Sequence, residues 1–93
     1  MSRQATLAAL SGTAMRLHIK LSTTLRACVP DYDPVRGLAV ELAEGGTARD
    51  LALHLGLPLD DIKIVMINGR HASLDTPLHD GDRVAFFPAV GGG

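Results

Sequence analysis

The chain has 93 residues, 46% of them hydrophobic and 20% charged, which allows one domain with a modest core and excludes a second. Its formal net charge of −1 lacks the basic excess typical of general nucleic-acid-binding proteins. No apolar run is long enough to span a membrane, and the N-terminal stretch is a poor secretory signal. We therefore expect a cytoplasmic protein that binds neither nucleic acid nor membrane.

The first half of the chain predicts a flexible extension followed by two strands. Residues 1–14 are mostly small and show no sustained period, so we expect them to be loosely ordered. From Met15 to Leu21 apolar and polar residues alternate, which predicts a half-buried strand. Residues 38–43 alternate in the same way and could form a hairpin with the first strand. The proline-rich segment "VPDYDPVRG" between them predicts a loop.

The segment "TARDLALHLGLP" predicts the main helix, because both of its ends are specified. Thr47 can cap the first turn, and Asp50 stands three residues later, where it can complete a capping box. Gly56 supplies a left-handed stop and Pro58 forbids continuation. The apolar positions follow helical spacing and form one stripe, made of Ala48, Leu51, Ala52 and Leu55.

The segment "DIKIVMINGR" predicts a strand that ends in a tight hairpin turn at Asn68-Gly69. Apolar residues on both faces favour a position inside the sheet. By strict alternation, one face carries Ile62, Ile64 and Met66, and the other carries Val65 and Ile67.

The C-terminal segment "RVAFFPAV" predicts the last strand, after a turn at Asp80-Gly81 and with Pro88 limiting its ladder. This element order predicts an α+β domain over residues 15–90, with a mixed sheet of four to five strands and one main helix packed on one face. With the first and last strands side by side, the fold is the ubiquitin-like β-grasp.

The chain lacks the residue constellations of an enzyme. Its lone Cys28 cannot form an internal disulfide or a structural zinc site, and no glycine-rich phosphate-binding motif is present. The acidic pairs border turns, where aspartate satisfies backbone N–H groups. The histidines show no metal-type spacing; they are His18, His54, His71 and His79. We predict that the chain binds no metal or cofactor and is not an enzyme by itself.

The sequence ends in Gly91, Gly92 and Gly93, which we predict to form a mobile tail. A terminal run of glycines can be an end of the chain that has no function. Because glycine has no Cβ, it can also pass through a narrow channel and deliver a terminal carboxylate into the active site of another protein. Adenylation of that carboxylate would turn it into an electrophile, with ATP supplied and bound by the partner enzyme.

The stretch "LDTPLHDGDRVAFFPAVGGG" resembles the C-terminus of the molybdopterin synthase small subunit, MoaD, in the sulfur-carrier family that includes the thiamine-pathway carrier ThiS. The resemblance in element order extends from Met15 to the end. It implies that a ubiquitin-activating-type adenylyltransferase adenylates Gly93 with ATP. A persulfide sulfur donor then leaves a thiocarboxylate on Gly93, which the large synthase subunit uses to build the dithiolene that holds molybdenum or tungsten.

A docking surface is predicted beside the tail. If Val84 and Phe86 face the helix, Phe87 is exposed on the opposite face, and Pro88 and Val90 continue toward the tail. The resemblance assigns partner binding to the second phenylalanine of the pair, which is Phe87 here. With two arginines as rim charges, the predicted partner-binding residues are Phe87, Pro88, Val90, Arg70 and Arg83.

The sequence leaves other functions open. The segment "ACVPDYDPVRG" is longer and richer in proline than the usual connection in the family, so a related carrier for thiamine, tRNA thiolation or cysteine synthesis fits as well. A protein modifier would share the activation step and form an isopeptide bond to lysine. An interaction module with an inert tail is the third alternative.

Overall fold

The computed structural model describes residues 14–89, which form five strands, one α-helix and two short 3₁₀ helices. The elements are β1 (Ala14–Leu21), β2 (Leu38–Ala43), α1 (Ala48–Leu55), β3 (Ile62–Ile67), β4 (Arg70–Ala72) and β5 (Arg83–Pro88), with 3₁₀ helices at Thr23–Cys28 and Leu59–Asp61. The predicted N-terminal extension and glycine tail lie outside the described residues, apart from Ala14. Ala14 belongs to β1 instead, because it pairs with Ala43 of β2.

The five strands form one mixed sheet in the order β2-β1-β5-β3-β4. β1 and β5 are parallel neighbours, whereas β1 with β2, β3 with β5 and β3 with β4 are antiparallel. The predicted α+β β-grasp is confirmed, including the adjacency of the first and last strands. β5 therefore lies at the centre of the sheet, although it is the last strand along the chain.

Helix α1 begins and ends where the sequence predicts. The Thr47 side chain accepts a hydrogen bond from the Asp50 N–H, and the Asp50 carboxylate accepts one from the Thr47 N–H, which completes the capping box. At the other end Gly56 has a left-handed φ of 76°, and the Leu57 N–H donates to the Ala52 carbonyl. Within residues 14–89, no helix has the length and apolar character needed to cross a membrane.

The core lies between α1 and one face of the sheet. Every second residue of β1 is buried, as its alternation predicts, and Phe86 of β5 is fully buried at the centre. Leu25 closes one side of the core from the 3₁₀ helix at Thr23–Cys28, an element that the sequence analysis did not predict. The largest fully buried side chains are Phe86, Met15, Ile19, Leu21, Leu25, Leu51 and Val84.

The predicted face pattern of β3 is wrong at its start. The register with β5 shifts by one residue between Ile62 and Ile64. Because this irregularity interrupts the alternation, Ile62 is buried in the core with Val65, while Ile64 is exposed. Ile62 therefore does not share a face with Ile64 and Met66. The prediction that β3 lies inside the sheet is confirmed, since β5 and β4 flank it.

The turn between β3 and β4 is joined to the start of β5 by side-chain hydrogen bonds. Asn68 and Gly69 both have positive φ, at 53° and 81°, as the predicted two-residue hairpin requires. The Asn68 side-chain amide donates to Asp82 Oδ1 at 2.9 Å, and its Oδ1 accepts from the Arg83 N–H at 3.0 Å. The backbone of Asn68 donates to the Arg83 carbonyl as well.

The "DGD" turn at residues 80–82 fastens the start of β5 to β1. Asp80 Oδ1 accepts from the Arg16 N–H at 2.7 Å, and the Gly81 N–H donates to the Arg16 carbonyl at 2.8 Å. The Asp82 carbonyl accepts from the His18 N–H. The Asp82 carboxylate is nearly buried and accepts from the His79 N–H at 2.8 Å. These bonds fix where β5 begins.

A tight loop precedes β2 and closes onto β1. The Gly37 N–H donates to the Asp33 carbonyl at 2.7 Å, and Gly37 has a φ of 77°. A Cβ added to Gly37 would lie 2.6 Å from the Ile19 carbonyl oxygen, so the loop can approach β1 this closely only with glycine.

We predict that Asp82→Ala lowers the free energy of unfolding by about 1–3 kcal/mol, because the Asn68 amide and the His79 N–H lose a buried acceptor. Asp60→Ala, at an exposed position, is the control and should change stability by less than about 0.5 kcal/mol. Urea denaturation of both variants measures the difference. An equal loss of stability in the two variants would contradict the stabilising role that we assign to the hydrogen bonds of Asp82.

Gly37→Ala should destabilise the protein more than Gly45→Ala does. Both glycines have positive φ, at 77° and 91°, so each substitution carries the left-handed penalty of about 1–2 kcal/mol. A Cβ at Gly45 meets no atom within 4 Å, whereas at Gly37 it collides with the Ile19 carbonyl. Thermal unfolding of the two variants makes the comparison, and a Gly37 variant as stable as the Gly45 variant would contradict the close approach.

Candidate functional site

The sheet face opposite α1, which we call the open face, contains two of the predicted partner-binding residues of β5, Arg83 and Phe87. Val84 and Phe86 are buried beneath the helix, so the alternate residues Arg83, Ala85 and Phe87 lie on the open face. Arg83 is exposed. Phe87 is half-buried rather than exposed as predicted, because Ile64 of β3 lies directly across from it.

Phe87 and Pro88 lie where the chain leaves the centre of the sheet. β1 ends at Leu21, opposite Phe86, and the Ser22 N–H donates to the Phe86 carbonyl just beyond it. Phe87 and Pro88 therefore continue past the end of β1, with β3 on their other side. Together with Ile64 they form a partly exposed apolar patch, which we call the exit patch. Val90 and the three predicted tail glycines lie outside the described residues.

A groove of about 550 Å³ lies on the open face at the other end of β5. Arg83 is in register with His18 of β1, and Ala85 is in register with Lys20. The groove therefore combines cationic side chains with an apolar floor. Its lining residues are His18, Lys20, Met66, Gly69, Arg83, Val84 and Ala85.

The two predicted rim arginines lie on different faces of the sheet. Arg70 pairs with Ile67, whose side chain packs against the core, so Arg70 is on the helix side at the sheet edge. Its neighbour His71 pairs with Met66 and is on the open face. The structure therefore brings Arg83 onto the same face as Phe87 and does not bring Arg70 there.

The sequence analysis did not identify the groove. The alternation of β1 puts His18 and Lys20 on a polar face, but it does not show which strand lies beside them. The parallel register of β1 with β5 sets Arg83 next to His18, and a register between distant segments leaves no signal in local spacing.

Within residues 14–89, no three His, Cys, Asp or Glu side chains come together in a group that could hold a metal ion. Cys28 is a free, half-buried thiol. The open face therefore has an apolar patch beside the exit of the tail and a basic groove farther along β5, an arrangement suited to binding other molecules.

A family model for the ThiS family matches residues 19–93. No curated protein is a significant match. Among solved structures, SAMP1 of Haloferax volcanii, a small archaeal modifier protein, has 26% identity and a TM-score of 0.62, with 84% of this chain and 99% of that chain covered. A putative molybdopterin converting factor subunit 1 from Pyrococcus furiosus has 27% identity and a TM-score of 0.63, with 82% and 99% covered.

The fold also occurs in a complex of subunits 1 and 2 of the molybdopterin-converting factor from Helicobacter pylori. The matched chain has 19% identity and a TM-score of 0.50, over 85% of this chain and 100% of that chain. The family match covers the central strand, the exit patch and the glycine run, and the sheet has β-grasp order. The chain therefore belongs to the ThiS family of small, ubiquitin-like sulfur-carrier proteins.

Proposed function

We propose that the chain carries sulfur as a thiocarboxylate on Gly93 and donates it in the biosynthesis of molybdopterin. The main support is that the family match continues through residue 93, so it includes the glycine run that follows the central strand. The 27% identity to a putative molybdopterin converting factor subunit 1 favours this pathway. The chain acts as a carrier, and the catalytic groups belong to its partners.

The carboxylate of Gly93 needs activation before it accepts sulfur. An adenylyltransferase of the ubiquitin-activating type transfers AMP from ATP to the carboxylate and releases pyrophosphate. The terminal sulfur of a persulfide then attacks the carbonyl carbon, and AMP leaves. A thiol reduces the resulting acyl disulfide, so that one sulfur stays on Gly93 as a thiocarboxylate. A tethered sulfur of this kind reaches its acceptor at a high effective concentration.

The chain contributes a narrow tail on a fixed base. Gly91 and Gly92 have no side chain that would obstruct a channel. The hydrogen bonds of the "DGD" turn hold the start of β5, and Pro88 ends the strand at a defined point of the sheet. A rigid base with a short tail limits the volume that the reactive group explores.

We propose that the exit patch docks against the large subunit of molybdopterin synthase. Phe87, Pro88 and Val90 would supply apolar contacts, and Arg83, which lies on the same face as Phe87, would supply a rim charge. Arg70 would contact the partner only around the sheet edge. The Helicobacter pylori complex supports the proposal that this fold pairs with a second subunit. The required ATP and reducing thiols are available in the cytoplasm, where we place the protein.

A protein modifier is the second candidate function. It is favoured by the 26% identity to SAMP1 over 99% of that chain. Activation of Gly93 would be the same, but a lysine amine would take the acyl group in place of sulfur. Carriers for thiamine, tRNA thiolation or cysteine synthesis would form the same thiocarboxylate and differ only in its acceptor.

We predict that incubation with ATP, the adenylyltransferase of the same cell and a persulfide donor increases the intact mass of the chain. The gain should equal replacement of one oxygen by sulfur, and omission of ATP should abolish it. Intact-protein mass spectrometry measures the change, with a variant lacking Gly93 as the control.

Other outcomes of this experiment separate the alternatives. Covalent adducts on other proteins, without the sulfur gain, would favour the modifier. An unchanged mass and no adducts would mean that the tail is inert and would contradict the proposal.

We predict that Phe87→Ala weakens binding to the synthase large subunit by at least about tenfold, because aromatic side chains dominate such interfaces. Leu53→Ala is the matched control, since Leu53 is also an exposed apolar residue but lies on α1. Calorimetric titration gives both affinities, and urea denaturation shows whether each variant is folded. Equal affinities for the two folded variants would exclude Phe87 from the interface.

A further inference from the structure

The loop of residues 33–37, which precedes β2, presents an apolar side chain to solvent. Val35 is 83% exposed, more than any other large hydrophobic residue in the described range. Pro34 and Arg36 beside it are exposed as well. Single exposed apolar residues are common on protein surfaces, so the exposure of Val35 does not by itself indicate a binding site. It does so only together with the hydrogen bonds that fix its backbone.

The backbone of this loop is fixed on both sides of Val35. Asp33 Oδ1 accepts from the N–H groups of Val35 at 2.8 Å and Arg36 at 3.1 Å. Lys20 Nζ donates to the Val35 carbonyl at 2.9 Å, and His18 Nε2 bonds to the Arg36 carbonyl at 2.6 Å. The backbone that carries the Val35 side chain is therefore held in place, so binding at Val35 would cost little backbone conformational entropy.

The loop and the groove on the open face share two residues, since His18 and Lys20 hold the loop and also line the groove. The lysine ammonium has three N–H donors and uses one of them on the loop, which leaves two for a ligand. Arg83, which is in register with His18 on the neighbouring strand, adds a second permanent positive charge. Among the described residues that line the groove, none is acidic.

This surface adjoins the exit patch and extends away from it. Ala85 of the groove is two residues from Phe87, whereas Arg83 precedes Phe87 by four residues on the same strand, which corresponds to about 13 Å along β5. The groove therefore reaches well beyond the exit patch.

We propose that the groove and Val35 together bind an acidic segment of a partner protein, with an apolar side chain of that segment packed on Val35. Charge complementarity selects this occupant, because the groove has two permanent positive charges, Lys20 and Arg83, and an apolar floor that includes Met66 and Ala85. The N-terminal residues 1–13 contain no Asp or Glu and so do not match it. The surface does not depend on the chemistry of the tail.

The test is selection of peptides from a phage-displayed random library on the purified full chain. A Val35→Asp/Arg83→Glu double variant serves for counter-selection; both residues are exposed, so it should fold. We expect the enriched peptides to contain Asp or Glu beside Leu, Ile or Phe. Amide NMR shifts on adding one of them should map to residues 18–20, 33–37 and 83–85.

The affinity of one selected peptide provides the quantitative measure. Val35→Asp should weaken it by about tenfold or more, through lost apolar contact and charge repulsion, and raised salt should weaken it further. Leu53→Asp on α1 is the control and should leave the affinity unchanged.

Three results would overturn the proposal. The first is enrichment of peptides without acidic residues, or equal enrichment on the double variant. The second is a set of NMR shifts confined to the exit patch. The third is a single-stranded oligonucleotide that shifts the same groove amides at lower concentration than the peptide, which would assign the groove to nucleic acid.

Discussion

The parallel pairing of β1 with β5 is the contact on which the rest of the structure depends. It joins segments more than 60 residues apart, from His18 beside Arg83 to Leu21 beside Phe86. Both strands supply fully buried residues to the core, so the pairing and the packing against α1 form together. The backbone and carboxylate bonds of residues 80–82 close one end of the pair, where Arg16 and His18 would otherwise lack partners.

This central position of β5 explains how a tail at the end of the sequence can begin at a fixed point. A strand at the sheet edge would fray, but β5 has neighbours on both sides as far as Phe86. Beyond that residue β1 has ended, and Phe87 and Pro88 keep only β3 beside them. The change from a strand paired on both sides to one paired on a single side thus takes place within a few residues, at a patch that is partly apolar.

Local sequence patterns predicted the helix and the strands, whereas the pairing of strands distant in sequence determined which of their side chains are exposed and which share a face. The capping box of α1, the Asn68-Gly69 turn and the alternation of β1 depend on neighbours in sequence, so they could be recognised. The bulge at Ile62 could not, because it exists only against β5. For the same reason the half-burial of Phe87 beside Ile64, and the placement of Arg70 away from Arg83, followed only from the register.

Net charge also conceals how the charges are distributed. The outward positions of β1 are Arg16, His18 and Lys20, and β5 adds Arg83 beside them, in a chain whose formal net charge is −1. Arg16 forms an ion pair with Glu41 at 3.5 Å, and the Lys20 ammonium donates a hydrogen bond to the backbone carbonyl of Val35. Like charges on neighbouring strands destabilise a sheet. Arg83 places a second permanent positive charge near Lys20, and the proposed acidic segment would offset the repulsion between the two cations.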